Sequence, residues 1–302
     1  MEKGRLWGGR YYYSLDCYLK EKFGEKLYKL ALDGGMTCPN RDGKISHGGC
    51  IFCSEGGSGE FSAKGKDINT QIENAKQLIK NKYSGSGYIA YFQSYTNTYA
   101  DVGYLKKLFY PVIMRDDIRV LSIATRPDCL ENDKIRLIEE LCRIKPVWVE
   151  LGLQTTNEAT ARLINRGYSL PVYDSAVKRL KSAGAEVITH AIIGLPNETY
   201  EDMEATVRYI ADSGADGIKL QLLHILKNTV LCDMYNEGLV RVLTEDEYVD
   251  IVCRLISVLP PDIVVHRLTG DGDKRLLIAP LWSCDKRRVL NKINHRLKLM
   301  NQ

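Results

Sequence analysis

The sequence is short of several things, and each shortage removes a class of protein. No run of about eighteen apolar residues occurs in its 302 positions, so no membrane-spanning helix is expected. The start, Met1-Glu2-Lys3-Gly4-Arg5-Leu6-Trp7, lacks the apolar core of a secretory leader, which points to a cytoplasmic protein. Charge of one sign is scarce as well. Lys and Arg number 42 against 38 Asp and Glu, and a balance of +4 does not by itself announce a nucleic-acid binder. Nine prolines form no linker tract, and no low-complexity stretch appears, so a second independent domain is not indicated. The 44% hydrophobic content is enough for a core without disulfide staples.

Nine cysteines are present, and in a reducing compartment they are thiols or metal ligands. Six of them, Cys17, Cys129, Cys142, Cys232, Cys253 and Cys284, are scattered and read as small buried hydrophobes. The other three differ. Cys50-Ile51-Phe52-Cys53 is a thiol pair at metal-ligand spacing, and Cys38 precedes it by a stretch, 39–49, rich in Gly and turn formers. Three thiolates leave a metal centre one ligand short. His47 would complete a structural Cys3His zinc site; alternatively the cysteines hold an iron–sulfur cluster with one iron open to an outside ligand.

From about residue 26 onward, short β-rich runs alternate with amphipathic stretches, the pattern of repeated βα units. Strands are expected at 26–32, 88–92, 119–124, 147–153, 187–193 and 217–222, with a later one at 263–266. Helices are expected at 70–83, 103–114, 133–144, 170–183 and 201–213, two of them closed by Gly184 and Gly214. Six βα units fit an open sheet or a partial barrel, and in either the carboxyl ends of the strands form the ligand-binding face. Polar residues cluster there: Asp33, Gln93-Ser94, Thr125-Arg126, Gln154-Thr155 and Asn197-Glu198. The cysteine loop follows the first strand and belongs to that face. The expected division is an N-terminal basic and aromatic extension (1–25), a barrel (26–243) and a C-terminal helical appendage (244–302) within one globular unit.

Three cysteines ending in Cys-x-aromatic-Cys after the first strand of a βα array resemble the radical S-adenosylmethionine (radical SAM) enzymes. The eleven-residue gap between Cys38 and Cys50 departs from the commonest spacing of that superfamily and resembles the branch of the Elongator catalytic subunit. Thr125-Arg126-Pro127-Asp128, Glu150-Leu151-Gly152-Leu153-Gln154 with Asn165-Arg166-Gly167, and Gly194-Leu195-Pro196-Asn197-Glu198 match motifs of the same branch in the same order. The resemblance implies a partial (β/α)6 TIM-type barrel of α/β class. It also implies a [4Fe–4S] cluster on Cys38, Cys50 and Cys53 whose open iron is chelated by SAM, and cleavage of SAM to a 5′-deoxyadenosyl radical. Phe52, Gln93, Ser94, Gln154, Arg166, His190 and Gly194 fall where relatives contact SAM, Gln93-Ser94 standing in for a Gly-Gly-Glu. Thr125, Arg126, Asp128, Glu150, Lys219 and Gln221 fall on strand ends and are candidates to face substrate; the alternative for Arg126 and Glu150 is that they pair with each other.

Members of the Elongator branch act on the wobble uridine of tRNA. The segment Gly35 to Gly43 and Thr269-Gly270-Asp271-Gly272 resemble a short bacterial single-barrel group linked to conversion of 5-carboxymethylaminomethyluridine to 5-aminomethyluridine. The resemblance implies a tRNA anticodon stem-loop as partner and a low-potential electron donor such as flavodoxin or ferredoxin. Two patches suit RNA: Arg5, Arg10, Lys20 and Lys22 interleaved with Trp7 and Tyr11 to Tyr13, and the basic run from Lys286 to Lys298. Two other readings stand beside this one: a radical SAM enzyme acting on a small metabolite or peptide, and a zinc-stabilised RNA-binding protein without catalysis.

Overall fold

The computed structural model describes residues 6–302 apart from 58, 64 and 271, so Arg5 and Asp271 lie outside the described residues. Its strands are β1 (Tyr28–Leu32), β2 (Tyr88–Phe92), β3 (Ile118–Thr125), β4 (Val147–Gln154), β5 (Glu186–Ile193), β6 (Gly217–Leu222), β7 (Ile225–Leu226), β8 (Val264–Arg267) and β9 (Leu277–Ala279). Its α-helices are α1 (Leu15–Phe23), α2 (Ile68–Ile79), α3 (Val102–Ile113), α4 (Asn132–Cys142), α5 (Glu158–Leu163), α6 (Leu170–Ser182), α7 (Tyr200–Asp212), α8 (Val230–Asn236), α9 (Glu245–Val258) and α10 (Lys286–Met300). Seven strands form one parallel sheet in the order β1-β2-β3-β4-β5-β6-β8, while β7 and β9 make a small antiparallel pair. Parallel neighbours need crossovers, and α2, α3, α4, α5 with α6, and α7 supply the first five.

Alternation along the strands separates two environments. One set of side chains (Leu30 and Leu32, Ala90 and Phe92, Leu121 and Ile123, Val149 to Leu153 in steps of two) packs under the helices in the main core. The other set points inward in layers. Leu27, Ile89, Val120, Trp148 and Ile188 form the lowest layer, and two residues further along each strand the interior turns polar, with Lys29, Tyr91, Ser122, Glu150 and His190. Curvature follows from one contact. In a flat sheet β2 and β6 stand four spacings, about 19 Å, apart, yet Lys219 Nζ on β6 donates to the Tyr91 hydroxyl on β2 at 3.1 Å. Two side chains of that length meet only if the sheet curls into a partial barrel.

Local chemistry explains the boundaries. Thr199 and Thr244 start α7 and α9 with reciprocal capping boxes to Asp202 and Glu247. Gly184 and Gly214 follow α6 and α7 with φ of 84° and 87°, the left-handed geometry expected of them. Segment 244–302 is more than helical, because it donates β8 as the seventh strand of the sheet and β9 as the partner of β7.

The described part of the N-terminal extension, residues 6–25, does not lie near the cysteine loop. Leu19 of α1, with Leu15, Tyr18 and Phe23, covers the lowest interior layer at the amino ends of the strands. Tyr12 is buried, Tyr13 stacks on Trp7 at 4.3 Å, and Tyr18 donates to Glu186 at 2.5 Å. Tyr12 and Tyr18 thus help to close the floor of the barrel on the face opposite the cysteines, a packing role for part of this patch, while Lys20 and Lys22 stay exposed.

Candidate active site

The loop after β1 is held in shape by residues of two motifs, Gly35 to Gly43 and Asn165-Arg166-Gly167, whose bracing role the sequence does not reveal. Arg41 donates from Nη2 to the Cys53 carbonyl at 2.8 Å and to that of Ser54. Asn40 donates to the Asn165 carbonyl at 2.5 Å and approaches Cys50 Sγ at 3.6 Å, while Asn165, at φ 55°, returns a bond to the Gly49 carbonyl at 2.8 Å. The Asn-Arg-Gly segment is therefore the clamp of the cysteine loop. Gly167 lets it close: at φ 81° a Cβ there would come within 2.8 Å of Asn40 Oδ1.

Cys38, Cys50 and Cys53 line one cavity of about 250 Å³ at the carboxyl ends of the strands. Phe52, Gln93, Thr125, Arg126, Glu150, Gln154, Arg166, His190 and Gln221 line the same cavity. Burial pushes the Cys50 thiol up to about 12, against the neighbouring Arg126 cation, which acts the other way. Gln154 ends β4 at φ 71°, and its Oε1 is buried without a partner, an acceptor presented at the cavity wall. Phe52 lines the cavity and also packs in an apolar cluster with Ile164, Ile192 and Leu195, so its ring wedges the loop against the strand ends.

Other expected residues have structural partners. Arg166 is buried, donating to the Leu153, Thr155 and Tyr168 carbonyls and pairing with Glu158 at 3.0 Å, so most of its guanidinium is committed to bracing the end of β4. Ser94 is buried against Ser62 at 3.0 Å and lies behind the wall. Gly194, at φ 88°, faces Leu243, whose Cδ1 a Cβ there would approach to 3.0 Å. Asp128 takes a two-bond fork from Arg126 at 2.9 and 2.7 Å, so the alternative of an Arg126–Glu150 pair is not what the fold shows.

Glu150 instead anchors the interior. Fully buried, it accepts from Lys29 at 3.0 Å, Ser122 at 3.0 Å, His190 Nε2 at 2.8 Å and Lys219. Burial alone would raise its pKa, but the cations of Lys219 and Lys29 outweigh that and hold it well below the ordinary range. Burial, with Lys219 nearby, lowers His190 to about 4 and keeps it neutral. His190 Nδ1 then accepts from the Gln221 amide at 3.1 Å. His224 is a further residue that sequence reasoning misses. It lines the cavity mouth between Gly270 and Gly272, where added Cβ atoms would meet its ring at 2.5 and 2.6 Å, which accounts for both glycines of that motif. His47, the alternative zinc ligand, is exposed, with its ring over Gly43, and does not line the cavity.

Residues 41–210 match the family model of the radical SAM superfamily, and residues 215–299 match that of the radical SAM C-terminal domain. The chain belongs to the radical SAM superfamily. YtqA of Bacillus subtilis is 45% identical over 288 residues, 95% of this chain and 89% of that protein. YhcC of Escherichia coli K12 is 33% identical over 273 residues, 89% of this chain and 86% of that one. Elongator complex protein 3 of Schizosaccharomyces pombe is 28% identical over 155 residues, 50% of this chain and 28% of that protein. Among solved structures, an Elp3 from Methanocaldococcus infernus superposes with a TM-score of 0.66 at 17% identity, covering 89% of this chain and 63% of that one, a likeness of fold.

A radical SAM enzyme uses a [4Fe–4S] cluster and SAM, and the residues present fit both. Cys38, Cys50 and Cys53 share the wall from which the unpartnered Gln154 Oε1 projects. Cys38, Cys50 and Cys53 would hold such a cluster, which would supply there the electron that cleaves SAM. Around it the chain supplies the Arg41 bracket, the Asn40–Asn165 clamp and a half-buried cavity that limits water. The zinc reading is not favoured. Among the described residues no helix is long and apolar enough to cross a membrane.

Proposed function

We propose that this radical SAM enzyme modifies the wobble uridine of tRNA, converting 5-carboxymethylaminomethyluridine to 5-aminomethyluridine. The observation that carries the reading is the match to Elongator complex protein 3 over half of the chain, together with the Thr-Arg-Pro-Asp, Glu-Leu-Gly-x-Gln and Asn-Arg-Gly motifs. In the fold these motifs meet around the cysteine loop: Arg126 and Gln154 on the cavity wall, and Asn165, just after α5, bonded to the loop at the Gly49 carbonyl. Hydrogen abstraction beside the secondary amine gives a radical stabilised by that nitrogen, so placement in a closed cavity is most of what the protein has to provide. A low-potential carrier such as flavodoxin or ferredoxin is the proposed reductant. Of the two basic patches, α10 remains the candidate for phosphate contacts; Arg288, Lys292 and Arg296 pair with acids of α9, while Arg287 and Lys298 are open to solvent or partly so.

Two experiments test this. Anaerobically reconstituted protein with Cys50→Ala is expected to make no 5′-deoxyadenosine; undiminished production refutes the ligand assignment. Nucleoside analysis of tRNA from a deletion strain is expected to show 5-carboxymethylaminomethyluridine accumulating, and an unchanged profile refutes the substrate.

A further inference from the structure

Asn40 does more at the cysteine loop than clamp it. Its side chain is fully buried, and its amide nitrogen stands between two acceptors, the Asn165 carbonyl at 2.5 Å and Cys50 Sγ at 3.6 Å. An amide carries two N–H donors, so both contacts are made at once. The other end of the amide is bare. Oδ1 is buried with no partner and faces Gly167, where an added Cβ would come within 2.8 Å of it. Turning the amide over would set that oxygen against a carbonyl and a sulfur and point both N–H groups away from them. The contacts on the nitrogen therefore fix its direction.

A buried amide oxygen left without a donor costs stability, and clamping alone does not call for it. The loop is already tied by Asn165 Nδ2 to the Gly49 carbonyl at 2.8 Å and to Ser46 Oγ at 3.1 Å, and by Arg41 to the Cys53 carbonyl. What Asn40 adds is a donor on sulfur. As a thiol, Cys50 gives its own proton to the Asn165 carbonyl, 3.5 Å from Sγ. As a cluster ligand it would be a thiolate, an acceptor with nothing to give, and the same carbonyl oxygen would then repel it. The Asn40 amide is the group that lies against both.

We propose that Asn40 tunes the reduction potential of the cluster, its Nδ2–H donating to the Cys50 sulfur. Reduction adds one electron, part of whose charge falls on the thiolate sulfurs, so a donor aimed at one of them favours the reduced form and makes the potential less negative. The proposal rests on Cys50 being a cluster ligand and does not depend on which molecule the enzyme modifies.

The experiment is a potentiometric titration of the reconstituted full-length protein, without SAM, followed by electron paramagnetic resonance with dithionite as the electron source. Asn40→Leu is close to Asn in shape and removes the donor. One-electron reduction of the cluster it retains is expected to be about tenfold less favourable than in wild type, a potential about 59 mV more negative. Asn165→Ala loosens the tie to Gly49 and Ser46 and leaves both the backbone carbonyl and the Asn40 donor in place. It is expected to retain less iron at an unchanged potential. Asn40→Leu titrating at or above the wild-type potential overturns the proposal. So does an equal shift in Asn165→Ala, which makes the effect one of loop shape. If Asn40→Leu holds no cluster, wild type labelled with heavy nitrogen in its asparagine side chains decides. Pulsed resonance of its reduced cluster is expected to show a coupled asparagine side-chain nitrogen that persists in Asn165→Ala, and absence of that coupling overturns the proposal. Cys50→Ala keeps the two claims apart. A cluster of wild-type iron content and potential in that variant refutes Cys50 as a ligand and the donor with it, whereas a lost cluster there beside an unmoved potential in Asn40→Leu refutes Asn40 alone.

Discussion

Replacing Glu150 by Gln keeps the shape of the side chain and removes the one negative charge that the described barrel interior holds. The consequence is set by Lys219, whose side chain is 1% exposed and which keeps a bond to the Tyr91 hydroxyl at 3.1 Å but no second carboxylate among the described residues. Lys29, at 22% side-chain exposure, can turn toward water and adds little. Breaking a buried pair by removing one member costs about 3–5 kcal/mol, because the other charge stays behind uncompensated. Glu150→Gln should therefore lower the stability of the apoprotein by about 3–4 kcal/mol, read as a shift of the urea midpoint at constant slope. The companion variant Glu150→Gln with Lys219→Met removes the stranded ammonium and fills its path with an unbranched apolar chain, and should recover about 2 kcal/mol. A loss below about 1 kcal/mol, or a double variant no more stable than the single one, refutes the claim that this pair anchors the interior. The pH dependence has a definite sign. The native Glu150 value lies below the unfolded one near 4.3, so its contribution is complete above that pH and is lost as the pH falls through the native value.

Glu198 should behave in the opposite sense. Burial pushes it up to about 7, although Thr155 donates to it, so native stability falls as pH rises from about 4.5 through 7. Glu198→Gln is expected to raise the melting temperature at pH 8 and to change it little at pH 5; equal effects at both refute the assignment. Gly194→Ala forces a side chain onto φ 88° and against Leu243, and a loss of about 1–3 kcal/mol in chemical denaturation is expected. Arg41→Met removes the bracket on the Cys53 and Ser54 carbonyls and should lower iron retained per chain after gel filtration, with secondary structure by circular dichroism unchanged; full iron retention counts against the bracket.

Periodicity and local chemistry place the strands within a residue or two, because inward and outward residues alternate cleanly on β2 to β6 and Gly closes α6 and α7. The cysteines and most strand-end polar residues are legible for the same reason: a βα array puts strand ends on one face. Partners are not. Arg126 has Asp128 two residues away, and Glu150 takes its cations from β1 and β6, a choice made by sheet curvature that no spacing reports. The aromatic run Tyr11 to Tyr13 has the composition of an RNA footprint, and only the seating of α1 distinguishes that from a packed floor. Arg166 stands in sequence where relatives contact SAM, yet the β4 carbonyls beside it need donors once the chain turns there. The seventh strand reads in sequence as a later run, but its membership of the sheet depends on Val264–Arg267 meeting β6 edge to edge.

The seating of α1 has a bearing on how anything reaches the reacting centre. With Leu19, Tyr18 and Trp148 stopping the lower end, the described cavity opens toward the carboxyl ends of the strands, where the cysteine loop, Gly270 and Gly272 line it. For the tRNA substrate proposed above, such a cavity would take the reacting nucleotide alone, turned out of the stack of its neighbours, while the rest of the chain stays outside.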